Sequence, residues 1–393
     1  MRMAFVGLSL ALTVGCTSSQ AIRRRDSVRA GAPNPSPPVV TFTRLPPHTP
    51  LSSPQDIVQL VEKSPVLYRI AELEAGGVAK DKLAPTLWAQ VEPELRIPTV
   101  QVDAKGVPTV TPYPADAQAD ALLREAAPFY ERRDYPRARA LYERALQKSP
   151  RYYPAMLALG DVLYSAGDYR EALQRYRHAI PLNPYDYRGH SSAANALLEL
   201  GRGDEALDDY AWALALRPQD AGLQKSIGER ASRLGIRFEA AGLVPLAFSR
   251  PSNSATVDVY TESRPHWLAY GLCKGIWVGE KDHRLARTGN AEHRFSNVEE
   301  SECLTGLLVL YAVRRGEGET AKEAGLDALI DVARTGGLDE WILFNIASRV
   351  APHVVLRTDD DERQLLHDFI LKFVLVDAQT RGGPGVAQSL DGT

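Results

Sequence analysis

Three segments that each end in proline follow one another at a spacing of 34 residues: RDYPRARALYERALQKSP at 133–150, GDYREALQRYRHAIPLNP at 167–184 and GRGDEALDDYAWALALRP at 201–218. Ala138, Ala172 and Ala206 keep the period, as do Tyr142, Tyr176 and Tyr210, and Ala145, Ala179 and Ala213. Such a period constrains the fold more than composition can. It means stacked copies of one supersecondary unit, none of which can bury its apolar face alone. Within each copy the first alanine and the tyrosine lie four residues apart, on one helical face. Ala126, Gly160 and Ala194 keep the same period in the preceding segment, where close approach of two helices needs a missing side chain. The prolines stop the second helix and set the turn into the next unit. Gly167 and Gly201 fall in the turn inside each unit, and Arg133 takes that place in the first. Each copy is therefore expected to be a pair of antiparallel helices.

This pattern resembles the tetratricopeptide repeat from about residue 119 to 218, with Ala221–Gly235 as the first helix of a partial fourth unit that caps the stack. Glu125 and Ala193 stand where the family has leucine and His190 where it has an aromatic residue, and Pro181 is expected to shorten the second helix of the middle repeat. The resemblance implies a curved stack whose first helices line a groove. By the family's pattern the groove positions are Leu123, Tyr130, Leu157, Asp161, Tyr164, Arg188, Ser191, Asn195 and Glu199. This mixture of rings, aliphatic groups, an amide and charges suits an extended peptide or a partner helix. Some members of the family clamp a terminal carboxylate. Here Arg188 and Asn195 are present but the lysines of that clamp are not. The competing reading is a stack that serves only as a rigid spacer.

The chain begins MRMAFVGLSLALTVGC. Arg2, the apolar run Ala4–Val14, and Gly15 before Cys16 have the layout of an export signal. They resemble a bacterial lipoprotein signal, although Thr13 stands where that family usually has leucine. The resemblance implies cleavage after residue 15, a diacylglycerol and further acylation on Cys16, and an outer-membrane location facing the periplasm. An ordinary secretory signal and an uncleaved anchor are the alternatives. Residues 16–55 carry Pro33, Pro35, Pro37, Pro38, Pro46, Pro47, Pro50 and Pro54 and are expected to form a disordered stalk. Residues 56–114 read as a short helical and extended linker with a hairpin at Lys105-Gly106. Residues 115–235 hold the repeats and cap, 236–380 a mostly α-helical C-terminal domain, and 381–393 a disordered tail. The overall expectation is an all-α chain: a helical-hairpin solenoid followed by that C-terminal domain. Its helices are expected at about 264–279, 298–315, 319–335, 338–350 and 359–378, with a short strand at Ala255–Tyr260.

Apart from Cys16, only Cys273 and Cys303 carry thiols. In an exported chain they are candidates for a disulfide, and spacing alone does not separate that from two buried free cysteines. No nucleotide-binding, nucleophile-elbow, zinc-protease or C-x-x-C motif occurs. His266, His283, His293, His353 and His367 match no ligand spacing, so no metal, cofactor or catalytic residue is assigned. Glu299, Glu302, Cys303 and His266 are the groups from which a Glu–His or Cys–His pair in a cleft would favour chemistry. Trp267, Tyr270, Trp277 and Trp341 are expected to be packing. The run Asp359–Asp361 is expected to cap a helix after Thr358 rather than to hold a metal. A net charge of −3 gives no field for nucleic acid. The expected partners are an envelope protein or peptide segment and, through the anchor, a membrane. The expected role is a protein-binding scaffold. The alternative is an enzyme in the C-terminal domain whose substrate the repeats recruit.

Overall fold

The computed structural model describes residues 40–379, apart from 47–48, 240–241 and 319–320. The export-signal segment, Cys16 and the tail at 381–393 lie outside the described residues. In chain order the N-terminal elements are α1 (Pro54–Lys63), β1 (Leu67–Glu72), α2 (Lys80–Leu87), β2 (Pro98–Val102) and β3 (Pro108–Pro112). The repeats follow as α3 (Ala117–Glu131), α4 (Tyr135–Lys148), α5 (Tyr153–Ser165), α6 (Tyr169–Ala179), α7 (Tyr187–Glu199), α8 (Gly203–Leu216) and α9 (Ala221–Ala231). Then come β4 (Ile236–Phe238), β5 (Ala247–Asn253), β6 (Thr256–Thr261), α10 (Pro265–Gly279), α11 (Lys281–Thr288), α12 (Asn297–Gly316) and α13 (Ala324–Arg334). Next, α14 (Leu338–Ile342) runs through a π-helical turn into α15 (Ser348–Val350), and α16 (Asp360–Phe369) and β7 (Leu375–Asp377) close the order.

The pairs α3/α4, α5/α6 and α7/α8 are the three hairpins, and each packs on the next. Asp186 and Asp220, one period apart, cap α7 and α9 by accepting from Arg188 N and Leu223 N. At the equivalent place before α5 stands Tyr152, which makes no cap bond; its hydroxyl donates to Asp120 instead, at 2.6 Å. Gly160 is needed for close approach: a Cβ there would lie 2.4 Å from the Tyr176 ring. The hairpin turns need the left-handed region, with φ 91° at Gly167, 72° at Gly201 and 61° at Arg133, the last without glycine's freedom. Pro181 has the expected effect, since α6 stops at Ala179 and ends in a 3₁₀ turn, Ile180–Leu182.

The described residues are mostly helical, but the all-α expectation needs correction, because three small sheets are present among them. β2 and β3 form the hairpin around Gly106. β4 pairs antiparallel with β7, so the chain returns to the end of the repeat stack rather than adding a second helix to α9. The third sheet has the order β1-β6-β5, with β1 parallel to β6 from Leu67 opposite Thr256. The segment read as a linker thus supplies an edge strand to the C-terminal sheet, and α1 packs on α10.

Residues 16–39 of the expected stalk lie outside the described residues, and the described residues of 40–55 depart from the disordered-stalk expectation as well. Val40 is buried, and its N–H donates to Glu92. Thr43 exchanges two hydrogen bonds with the Asn297 amide. Arg44 reaches Glu340 at 2.5 Å and Glu362 at 2.6 Å. Side-chain pairing and one buried valine hold this strap down without any core of its own. The C-terminal body also grips the third repeat, where the Trp212 ring of α8 stacks on His367 of α16 at 4.6 Å. Asp359 caps α16 by accepting from Glu362 N, with Asp360 and Asp361 in its first turn, as the acidic run is expected to do. No helix among the described residues is long and apolar enough to cross a membrane.

Candidate protein-binding face

The first helices α3, α5 and α7 pack mainly against other repeat helices, while the C-terminal body packs on α8 and α9. Two tyrosine pairs recur at the repeat period where first helix turns into second. Tyr130 meets Tyr135 at 6.0 Å between ring centroids, and Tyr164 meets Tyr169 at 5.2 Å. The third repeat has Leu198 and Gly203 in these places. Between the two pairs lies a depression of about 450 Å³, lined by Tyr135, Pro136, Val162, Leu163 and Ala166 beside Arg139 and Asp168.

The polar groove positions are largely committed within the stack. Tyr176 OH donates to Asp161 at 2.9 Å, and Tyr210 OH donates to Asn195, one period on, at 2.8 Å. These bonds tie the second helix of a unit to the first. Tyr130 OH bonds with Ser165 Oγ, Glu199 pairs with Arg233, and Arg188 pairs with Asp186. Leu157 is buried and offers no side chain to a partner, and Leu123 is partly buried against the cluster that holds Tyr152. Tyr130, Tyr164 and Ser191 remain partly exposed. Their ring faces and one hydroxyl, with the depression beside them, are what the stack presents.

Asp161 sits in this face at an energetic cost. Burial pushes its carboxyl up to about 6, against the Tyr176 hydrogen bond and the field of Arg188. A folded pKa above the unfolded 3.8 means that stability is full in acid and is lost as pH rises through about 6. Asp161→Asn, which copies Asn195 and still accepts from Tyr176, is expected to raise stability at pH 7 by about 1–2 kcal/mol, since solvent screens part of the cost. The gain should vanish below about pH 4, where the acid is protonated in both states. Thermal melts of wild type and variant at pH 7 and pH 4 check this. A variant no more stable at pH 7 would contradict it.

The remaining sequence candidates do not converge. His266 bonds with Glu323, not with Glu299 or Glu302. His353 Nε2 accepts from Leu95 N, and burial, aided by Arg217 and Arg357, pushes its pKa down to about 4. His367 belongs to the contact with α8. Cys273 and Cys303 are joined by a disulfide between α10 and α12. Trp267, Tyr270, Trp277 and Trp341 are buried as packing. Among the described residues no group of His, Cys, Asp and Glu could hold a metal ion.

Spacing gave no warning of a buried charged array on α10 and α12. Lys274 lies between Glu299 and Glu300, with Glu300 at 2.7 Å. Glu299 also meets His293 at 3.1 Å. Glu302 is held by His283 at 2.9 Å, Arg287 at 3.1 Å and Ser52 N at 2.8 Å. Burial would raise the Glu302 carboxyl, but the His283 and Ser52 hydrogen bonds win and hold it at about 2. In sequence Glu299 and Glu300 look like the acidic first turn of a helix, which they also are, and Glu302 lies just beyond that turn.

Residues 129–191 match the tetratricopeptide repeat family. No curated protein matches the chain. Solved structures similar to it include the type III secretion translocator chaperone SycD of Yersinia enterocolitica, at 20% identity over 30% of this chain and 91% of that one, with a TM-score of 0.28. The first TPR domain of human RPAP3 is similar at 18% identity over 30% and 91%, with a TM-score of 0.29. MamA from Desulfovibrio magneticus is similar at 20% identity over 30% and 66%, with a TM-score of 0.28. The family match falls on the hairpins whose period, turn residues and tyrosine bonds repeat in the structure, so the likeness to tetratricopeptide repeats is one of this segment of the chain.

Proposed function

We propose that the chain is a protein-binding scaffold of the bacterial cell envelope, anchored through a lipid on Cys16, whose repeats take an extended segment of another envelope protein. The observation that carries the binding half is the pair of periodic tyrosine couples flanking an apolar depression on a face that the C-terminal body leaves uncovered. Aromatic anchors over a pocket are the usual centre of an interface. The envelope half rests on the layout of residues 1–16.

Affinity capture from envelope membranes tests both. The comparison is between wild type, Tyr130→Ala with Tyr164→Ala, and Cys16→Ala. Asn195 is left intact because it holds Tyr210. One captured protein that the tyrosine variant loses, while keeping its wild-type melting transition, is the expected result. Equal capture by the variant would reduce the repeats to a spacer. Cys16→Ala is expected to leave the membrane fraction. A second reading, chemistry in the C-terminal body, has one observation in its favour: the His293–Glu299 pair stands at the edge of a cleft.

A further inference from the structure

That cleft, of about 610 Å³, lies between the strap at 40–43, helix α11, the loop before α12 and the start of α12. Its volume is that of a small-molecule site. Its lining carries Arg284, Arg287, His293 and Arg294 against a single carboxylate, Glu292. The charges are not equally available. Arg287 is committed to Glu302. Among the described residues Arg284 donates to the carbonyls of Trp277, Val278 and Ala291, none of which carries a charge. Arg294 pairs with Glu292, but both are exposed, at 53% and 69%, and such a pair is worth little and is readily exchanged. His293 is 39% exposed, and its Nε2 is fixed on Glu299, which is buried and paired with Lys274, an ammonium that it shares with Glu300. The ring is thereby oriented while its other nitrogen stays uncommitted. Glu299 and Glu302 are each about 2% exposed or less and do not line the cleft; they offset His293 and Arg287 from behind, which leaves Arg284 and Arg294 as the cations of the wall without a buried carboxylate partner.

We propose that this cleft binds the oxyanion of a small molecule, a phosphate or carboxylate group, through His293 and Arg294, with Arg284 adding its field. The site stands apart from the repeat groove and does not depend on it. The ring binds the oxyanion as imidazolium, with Nε2–H donating to Glu299 and Nδ1–H to the ligand, and charge-assisted hydrogen bonds from an oriented imidazolium and a guanidinium suit such a group. The buried array behind the cleft has a reason under this assignment: it fixes the imidazole from behind, and none of its carboxylates lines the cleft.

The test is a titration of the full chain with sodium phosphate and with sodium acetate, against sodium chloride at matched ionic strength, followed by the nitrogen–proton correlations of the histidine rings. The His293 signals, identified by their absence from His293→Ala, are expected to shift saturably with phosphate, acetate or both, and not with chloride. A response to phosphate alone assigns a phosphate-bearing ligand, and to acetate alone a carboxylate. Arg294→Gln is expected to weaken the effect about tenfold. Shifts that follow ionic strength alone, or an unchanged affinity in Arg294→Gln, would overturn the proposal. Arg294 is exposed, so that variant carries the test even if His293→Ala does not fold.

Discussion

Lys274→Met is expected to lower the stability of the folded chain by about 3–5 kcal/mol, the cost of leaving buried charges without their partner. Lys274 is 7% exposed, and burial alone would lower its pKa; Glu299 and Glu300 outweigh burial and raise it, so the ammonium stays charged. Methionine fills similar space and removes the charge. Two carboxylates at about 2% exposure or less then face each other's field. Glu300 keeps the Trp88 Nε1 donor at 3.1 Å and the Tyr270 hydroxyl at 3.3 Å, and Glu299 keeps only His293. These neutral or mobile donors do not replace an ammonium. Lys274 also helps to hold the Glu299 carboxyl below its ordinary value, so in the variant that group should bind a proton on folding. The penalty should therefore shrink below about pH 4.5, where the carboxylates are protonated in the unfolded chain as well. Adding Glu299→Gln and Glu300→Gln should restore part of the loss, because a neutral buried set has no charge to strand. Urea unfolding at pH 7 and pH 4 gives all three comparisons. A loss under about 1 kcal/mol at pH 7 would mean that water already reaches this array.

What could be read in advance divides along contact range. The repeats were legible because each is a local hairpin, and three copies in register fix helix, turn and packing position together. Their exceptions carried physical meaning too, as Pro181 and Arg133 show. The β1–β6 pairing was not legible. It joins strands some 180 residues apart, and LYRIAE exposes Leu67 and Ile70 at an edge, so no clean alternation marks it. Helix α11 hid for the opposite reason: none of its residues is buried, and its polar run reads as a loop. The prolines before residue 55 rightly argued against a core, but they say nothing against a strap held by Arg44, Thr43 and Ser52. At the groove, the family pattern located the first helices. It did not reveal that Asp161 and Asn195 serve Tyr176 and Tyr210, because a hydrogen bond fifteen residues long leaves no mark on helical periodicity.

Replacing both Cys273 and Cys303 by alanine is expected to cost roughly 3.5 kcal/mol, from the entropy released when a loop of about 30 residues is no longer closed in the unfolded chain. Alanine is preferred to serine because both positions are at most 3% exposed and a hydroxyl there would lack a partner. The bond closes α10 onto α12 across α11 and the cleft loop, with Lys274 next to one cysteine and Glu302 next to the other. The two predictions are therefore coupled. Without the bond, α10 and α12 can part enough to admit water, and water around Glu299 and Glu300 lowers the cost of removing Lys274. The loss in Lys274→Met with both cysteines replaced should fall short of the sum of the separate losses by about 1 kcal/mol or more, as neighbouring sites in one network do. Urea midpoints of the four proteins under oxidising conditions measure the difference. A double loss equal to the sum would show that the charged array keeps its geometry without the bond. An unchanged midpoint on removing the cysteines would show that the bond constrains nothing the unfolded chain can otherwise explore.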